Sequence, residues 1–373
     1  MWSVTVSTAG GLRAVLARAP AAALHAVLAR APAGALARAL APALALAVLG
    51  GCGDDPASGD PDAAVTVDAS DPGCDPGAGW RPAAALPLGA TQETATVAVD
   101  GKIYVIGGFN GALGVLDEVQ VFDTATCAWS AGPELPLAVH HANAAVVDGT
   151  IYVVGAMETL NFRAVGHTWS WNPATESAWT TRAAMPAGTE RGSSIVGVIG
   201  PRIYLAGGLR GGAVAEVSAF DTSTGQWDTA LPPLPAARDH GCGGVVDGRL
   251  YVTGGRRGTT GSVEGDVWEF TPGGAWVARA AMPTARGGTA CGVLGDRIVV
   301  VGGEGNPALP SGVFAEVEAY TPATDTWQTL APMTTPRHGM GAAAWDGRLY
   351  VPGGATREGF GAVAVHEIFT PGP

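Results

Sequence analysis

From about residue 75 onward, short apolar runs alternate with clusters of glycine, proline and small polar residues. One run recurs six times: YVIGG at 104–108, YVVGA at 152–156, YLAGG at 204–208, YVTGG at 251–255, VVVGG at 299–303 and YVPGG at 350–354. The first glycines, Gly107, Gly155, Gly207, Gly254, Gly302 and Gly353, lie 48, 52, 47, 48 and 51 residues apart. Self-similarity at such a period marks a repeat architecture, in which each unit buries its apolar face only against its neighbours. A second apolar run precedes each of these, and Asp100-Gly101, Asp148-Gly149, Asp247-Gly248 and Asp346-Gly347 separate the two. An Asp-Gly loop accepts the positive φ angles of a type I′ turn, so the runs are predicted to form strands A and B of a tight antiparallel hairpin. Gly200-Pro201 and Gly295-Asp296 depart from the pattern. The glycine pairs predict close backbone approach at a crowded centre, where a side chain would collide.

About 15 residues after each pair stands an aromatic residue before a turn: Phe122, Trp171, Phe220, Phe270, Tyr320 and Phe369. A tryptophan follows in five copies, at Trp129, Trp179, Trp227, Trp276 and Trp327. The aromatic belongs to a predicted strand C and the tryptophan to a strand D. The sixth copy stops short of its tryptophan, but Asp75 to Trp80 looks like Thr271 to Trp276 at the other end of the array. Trp80 therefore supplies the missing strand D, and the two ends of the array share one unit. The glycine pair, the pre-turn aromatic and the tryptophan at this spacing resemble the kelch family. That resemblance implies an all-β fold, a six-bladed β-propeller with four antiparallel strands per blade, over residues 75–373.

Composition agrees with this. Only 14% of residues are charged and 56 of 373 are glycine, which suits short strands and tight turns rather than solvated helices. The formal net charge is −12, and setting aside residues 1–51, which carry four arginines and no acid, leaves −16. So acidic a body argues against nucleic acid as a partner, because phosphate binding is driven by clustered cations.

Residues 1–51 are Ala- and Leu-rich and end in the uncharged run Leu40 to Gly51, too short for a membrane span and readable as the apolar region of a signal peptide. The run closes on Leu49-Gly50-Gly51-Cys52, which resembles the bacterial lipobox and implies lipidation at Cys52. Gly53, rather than aspartate, follows the cysteine, which by the same resemblance implies the outer membrane. Residues 52–74 carry six aspartates among small residues and prolines, and are expected to be a disordered, self-repelling tether. The expected location is thus the cell envelope, with the membrane contacted only through the lipid.

Four further cysteines remain, Cys74, Cys127, Cys242 and Cys291, in a compartment where disulfides persist. Cys242 and Cys291 fall on A strands of neighbouring blades, and Cys74 and Cys127 each precede a tryptophan near the closure, so those are the expected pairs. Buried free thiols are the alternative.

The kelch resemblance implies that ligands are met by the D-to-A and B-to-C loops on one face. Arg191, Arg238, Arg286 and Arg337 recur in the D-to-A loops, where they are expected to ring the channel mouth. The B-to-C loops add Arg210, Arg256 and others, and guanidinium groups there suit carboxylate or phosphate ligands. His140, His141, His240 and His338 lie near the same mouth, beside Glu93 and Asp239. No Cys/His spacing marks a metal site and no catalytic set is recognisable, so neither metal nor cofactor is expected. The resulting expectation is a monomeric interaction module that presents one face to a protein, peptide or glycan. The alternative is a carbohydrate-active propeller resembling sialic acid mutarotases, in which Glu93 or Asp239 would act beside a ring arginine.

Overall fold

Twenty-four of the strands pair into six four-stranded antiparallel sheets. The structure, a computed structural model, describes residues 77–372. Residues 1–51, expected as a signal peptide, and residues 52–74, expected as a tether, lie outside the described residues, and Cys52 and Cys74 with them.

Blade 1 comprises strands A to D at Ala95–Val99, Lys102–Ile106, Val119–Asp123 and Ala128–Ala131. Blade 2 follows at Ala144–Val147, Thr150–Glu158, Arg163–Trp171 and Thr180–Thr181. Blade 3 occupies Ile195–Ile199, Arg202–Ala206, Val217–Asp221 and Gln226–Asp228. Blade 4 occupies Cys242–Val246, Arg249–Thr253, Val267–Phe270 and Trp276–Arg279. Blade 5 occupies Ala290–Leu294, Arg297–Val301, Val317–Thr321 and Thr326–Thr329. Blade 6 takes strands A to C from Ala343–Trp345, Arg348–Pro352 and His366–Thr370, and its strand D from Gly79–Pro82 at the other end of the array. Trp80 pairs with Phe369 in that last ladder, so the ring closes by main-chain hydrogen bonds between its two ends.

The apolar side chains explain why blades and not isolated sheets form. The buried hydrophobic residues separate into six clusters, and each cluster joins two neighbouring blades, from Ala95 with Ile151 between blades 1 and 2 to Ile103 with Ile368 between blades 6 and 1. No blade can bury its faces alone. Every D-strand tryptophan stacks on the pre-turn aromatic of its own blade and donates its indole N–H to a carbonyl contributed by the preceding blade. Trp129 donates to Ala84, Trp227 to Ala183 and Trp80 to Ala331, at 2.8–2.9 Å.

The glycine pairs seal the same interfaces. Gly207 sits at φ 64°, and a Cβ there would come within 2.5 Å of the Arg238 carbonyl in the next blade, while Gly208 N–H donates to that carbonyl at 2.8 Å. In blade 2 the second glycine is Ala156, and Asn143 makes up the contact by donating its side-chain amide to the Arg191 carbonyl at 2.9 Å. Asp100-Gly101, Asp148-Gly149, Asp247-Gly248 and Asp346-Gly347 all show the paired positive φ of a type I′ turn. Cys242 and Cys291 join the inner strands of blades 4 and 5 in a disulfide with Cα atoms 5.9 Å apart. Cys74, the expected partner of Cys127, lies outside the described residues.

Candidate functional site

Fourteen residues before each first glycine, one residue per blade turns into the left-handed region: Glu93, His141, Ser193, His240, Gly288 and Gly339, with φ between 51° and 63°. Their backbones form a closed circle of hydrogen bonds. His141 N–H donates to Glu93 O at 3.0 Å, Ser193 to His141 at 2.8 Å, His240 to Ser193 at 3.2 Å, Gly288 to His240 at 2.8 Å, Gly339 to Gly288 at 3.0 Å and Glu93 to Gly339 at 2.5 Å. This circle frames the mouth of the central channel, whose wall is built from small residues of the inner strands such as Ala144, Gly243 and Ala290. Glycine meets the left-handed geometry without strain in blades 5 and 6. Elsewhere the ring carries side chains at a cost of about 1 kcal/mol or more each, a feature that points to a use for those side chains.

Those side chains converge. His141 Nε2 lies 2.8 Å from His240 Nε2 and 3.1 Å from Glu93 Oε2. His240 Nδ1 is 2.5 Å from Asp239 Oδ1, and His141 Nδ1 is 2.5 Å from His140 Nδ1. Arg256 reaches over the cluster, bonding Asp239 Oδ1 at 3.0 Å, His240 Nε2 at 3.0 Å and the Glu304 carboxylate. His338 completes the rim, with Nδ1 3.4 Å from Glu304 Oε2 and Nε2 2.9 Å from the Arg357 carbonyl. Burial, followed by the cationic forms of His240, His140, Arg256 and His338, holds His141 well below the ordinary imidazole range. Burial likewise lowers His140 to about 4. Burial alone would raise Asp239, but its hydrogen bonds and charge contacts with His240 and Arg256 outweigh that and keep it below the usual carboxylate value. Ligand atoms of Glu93, His141 and His240 all lie within 4.8 Å of one another, the one such grouping among the described residues.

The recurrent arginines do not belong to this mouth. Sequence alone places Arg191, Arg238, Arg286 and Arg337 around it, yet all four are 0% exposed. Each guanidinium instead bonds the carbonyl of the first glycine sixteen residues on: Arg191 to Gly207 at 2.7 Å, Arg238 to Gly254 at 3.1 Å, Arg286 to Gly302 at 2.8 Å and Arg337 to Gly353 at 2.5 Å. Carbonyls left unpaired where strand B ends at the glycine pair need donors, and a five-donor fork supplies several at once. Arg286 and Arg337 also pair with buried Glu318 and Glu367. Arg210 is occupied by Glu216 in its own blade. Of the expected face, Glu93, Asp239, His140, His240, His338 and Arg256 come together.

Aromatic residues that sequence reasoning did not single out cover the cluster. The B-to-C hairpin of blade 2 is extended, and at its tip Phe162 packs 5.0 Å from His140 and 5.3 Å from His141. Phe109 lies 4.1 Å from His140 and 5.8 Å from Phe360 in the B-to-C loop of blade 6. That loop folds inward, with Gly359 N–H on Glu304 at 3.1 Å and Gly359 O accepting from Gln92 at 2.8 Å. The mouth is thus capped by the chain's own loops.

The same repeat is recognised in comparison with known proteins. Residues 80–255 match the family model described as the KLHDC2/KLHL20/DRC7 Kelch-repeats domain, and residues 285–334 match that of the Kelch motif. The chain belongs to the kelch-repeat family. Among kelch relatives, it is 36% identical over 297 residues to the Kelch-like protein terF of Aspergillus terreus, covering 75% of this chain and 64% of that protein. It is 27% identical over 256 residues to Kelch-like protein 23 of Homo sapiens, covering 68% of this chain and 43% of the relative. The kelch chain described here spans less than two thirds of the length of these relatives. They come from a fungus and a mammal, whereas the lipobox resemblance at Cys52 is bacterial in kind and lies outside the described residues.

Proposed function

We propose that the chain is a lipid-anchored interaction module of a bacterial envelope, and that its propeller presents the D-to-A and B-to-C loop face to a protein partner. The capped mouth carries this reading. Loops that fill the entrance leave a broad face rather than an open pocket, and that face holds Leu88, Leu160, Leu309 and Phe360, each between 40% and 53% exposed. Four of the six most exposed large hydrophobic residues among the described residues therefore stand on this one side, which supports it as the interaction face. Kelch propellers generally bind protein partners, which fits the same face. An acid-sugar enzyme would need a guanidinium accessible to the sugar carboxylate, and Arg191 and Arg238 are both fully buried. The Leu49-Gly50-Gly51-Cys52 segment and the acidic tether support anchoring at a distance from the membrane.

Site-specific photo-cross-linking in intact cells tests the reading. A cross-linker at Leu160 or Phe360 should give discrete protein adducts, whereas one at Trp345, at the A-to-B end of blade 6, should give none. Equal adducts from both faces would remove the support. Metabolic labelling with a radioactive fatty acid, lost in C52A, tests the anchor separately.

A further inference from the structure

We propose that Glu93, His141 and His240 form a binding site for one divalent first-row transition ion at the channel mouth, with His140 and Asp239 orienting the two imidazoles. The proposal stands on proton positions fixed by fixed acceptors. His140 Nε2 is 3.0 Å from the Thr159 carbonyl, which can only accept, so that nitrogen carries the proton and Nδ1 is left to accept. His141 Nδ1, 2.5 Å away, is then the donor. His240 Nδ1 faces the Asp239 carboxylate at 2.5 Å and is a donor as well. Both imidazoles consequently direct bare Nε2 lone pairs inward, 2.8 Å from each other, while Glu93 Oε2 stands 3.1 Å from His141 Nε2.

Three acceptors converging in this way repel one another unless a cation lies among them. Ligands bonded at about 2.0–2.1 Å in octahedral or tetrahedral arrangement sit about 2.8–3.4 Å apart, close to the separations of His141 from His240 and from Glu93, and all three ligand atoms lie within 4.8 Å of one another. The Asp239–His240 contact is the carboxylate–histidine relay that commonly fixes the tautomer of a metal-bound imidazole. Two imidazoles and one carboxylate suit zinc or ferrous iron and leave coordination positions open for water or a further ligand. Arg256 Nη2 now takes part of the role of that cation at His240 Nε2, from 3.0 Å, and also bonds Asp239 and Glu304, onto which it can withdraw.

Calorimetric titration of the full-length chain with Zn(II), and with Co(II) read by its visible absorption, tests the site. One ion per chain is expected. The variants H141G and H240G keep the backbone tolerated, since Gly288 and Gly339 hold the same ring positions with φ 63° and 60°. Each should weaken binding at least about 100-fold, and D239N about 10- to 100-fold, with unfolding midpoints near wild type. E93Q, which changes no shape, gives a second test and should also weaken binding. Absence of saturable one-to-one binding by the wild-type chain would overturn the proposal, as would wild-type affinity in folded H240G or E93Q.

Discussion

Trp80 and Phe369 face each other across the ladder that closes the ring, with ring centroids 5.0 Å apart. Trp80 also donates its indole N–H to Ala331 in blade 5 at 2.9 Å, so one side chain from the start of the propeller ties together its last two blades. Removing it should act on the whole ring. W80A is expected to lower unfolding free energy by about 3 kcal/mol, as measured by denaturant titration, with one cooperative transition retained. Loss confined to local fraying, with an unchanged midpoint, would mean that the seam contributes little.

The buried arginines give a second expectation. R286M removes a cation whose partner, Glu318, stays buried, and should destabilise by about 3–5 kcal/mol. The double variant R286M/E318Q should recover part of that loss, because the stranded charge is gone. A surface arginine such as Arg210 should tolerate the same change within about 0.5 kcal/mol.

The Cys242–Cys291 bridge closes a separation of 49 residues between adjacent blades. Its removal in C242A/C291A should cost about 2–4 kcal/mol, seen as a lower thermal midpoint that no longer responds to reductant.

Acid should loosen the seam between blades 6 and 1. His366 is buried against Phe122 and Trp129, and burial brings it from the ordinary 6.5 down to about 3. With the folded value depressed, the unfolded chain binds the proton first. Its contribution is complete above about pH 6.5 and declines by up to about 1.4 kcal/mol per pH unit as the pH falls toward 3. H366F should therefore lose less stability than wild type between pH 7 and pH 5, compared by urea unfolding at both values.

Much of this fold could be read from side chains whose roles are local and repeated. The Asp-Gly turns, the glycine pairs and the tryptophans each sit at one point of a fixed spacing, and the look-alike of Asp75–Trp80 with Thr271–Trp276 predicts the seam. Sequence alone misplaces the arginines because a charged residue in a loop looks the same whether it meets water or carbonyls. Only the sixteen-residue step from Arg191 to Gly207, repeated at Arg238, Arg286 and Arg337, hints at the internal bond. The cluster of Glu93, His141 and His240 draws on blades 1, 2 and 4, so no short motif contains it. Its signal is the register: each stands fourteen residues before a first glycine, which puts all three on the same inner circle. Phe162 escapes for another reason. Ala156 in place of glycine accompanies a strand B that runs on to Glu158, and that longer hairpin carries the ring over the mouth.

The central claim is that six blades close into one ring and set one residue of each on a single circle at the channel mouth. Hydrogen–deuterium exchange at the amide of Glu93 tests it most directly, because that N–H bonds the Gly339 carbonyl across the seam. Closure predicts protection within about tenfold of the amides of His141, Ser193, His240, Gly288 and Gly339, all lost together on global unfolding. Exchange of the Glu93 amide at the rate of an unstructured peptide, while the other five stay protected, would contradict it.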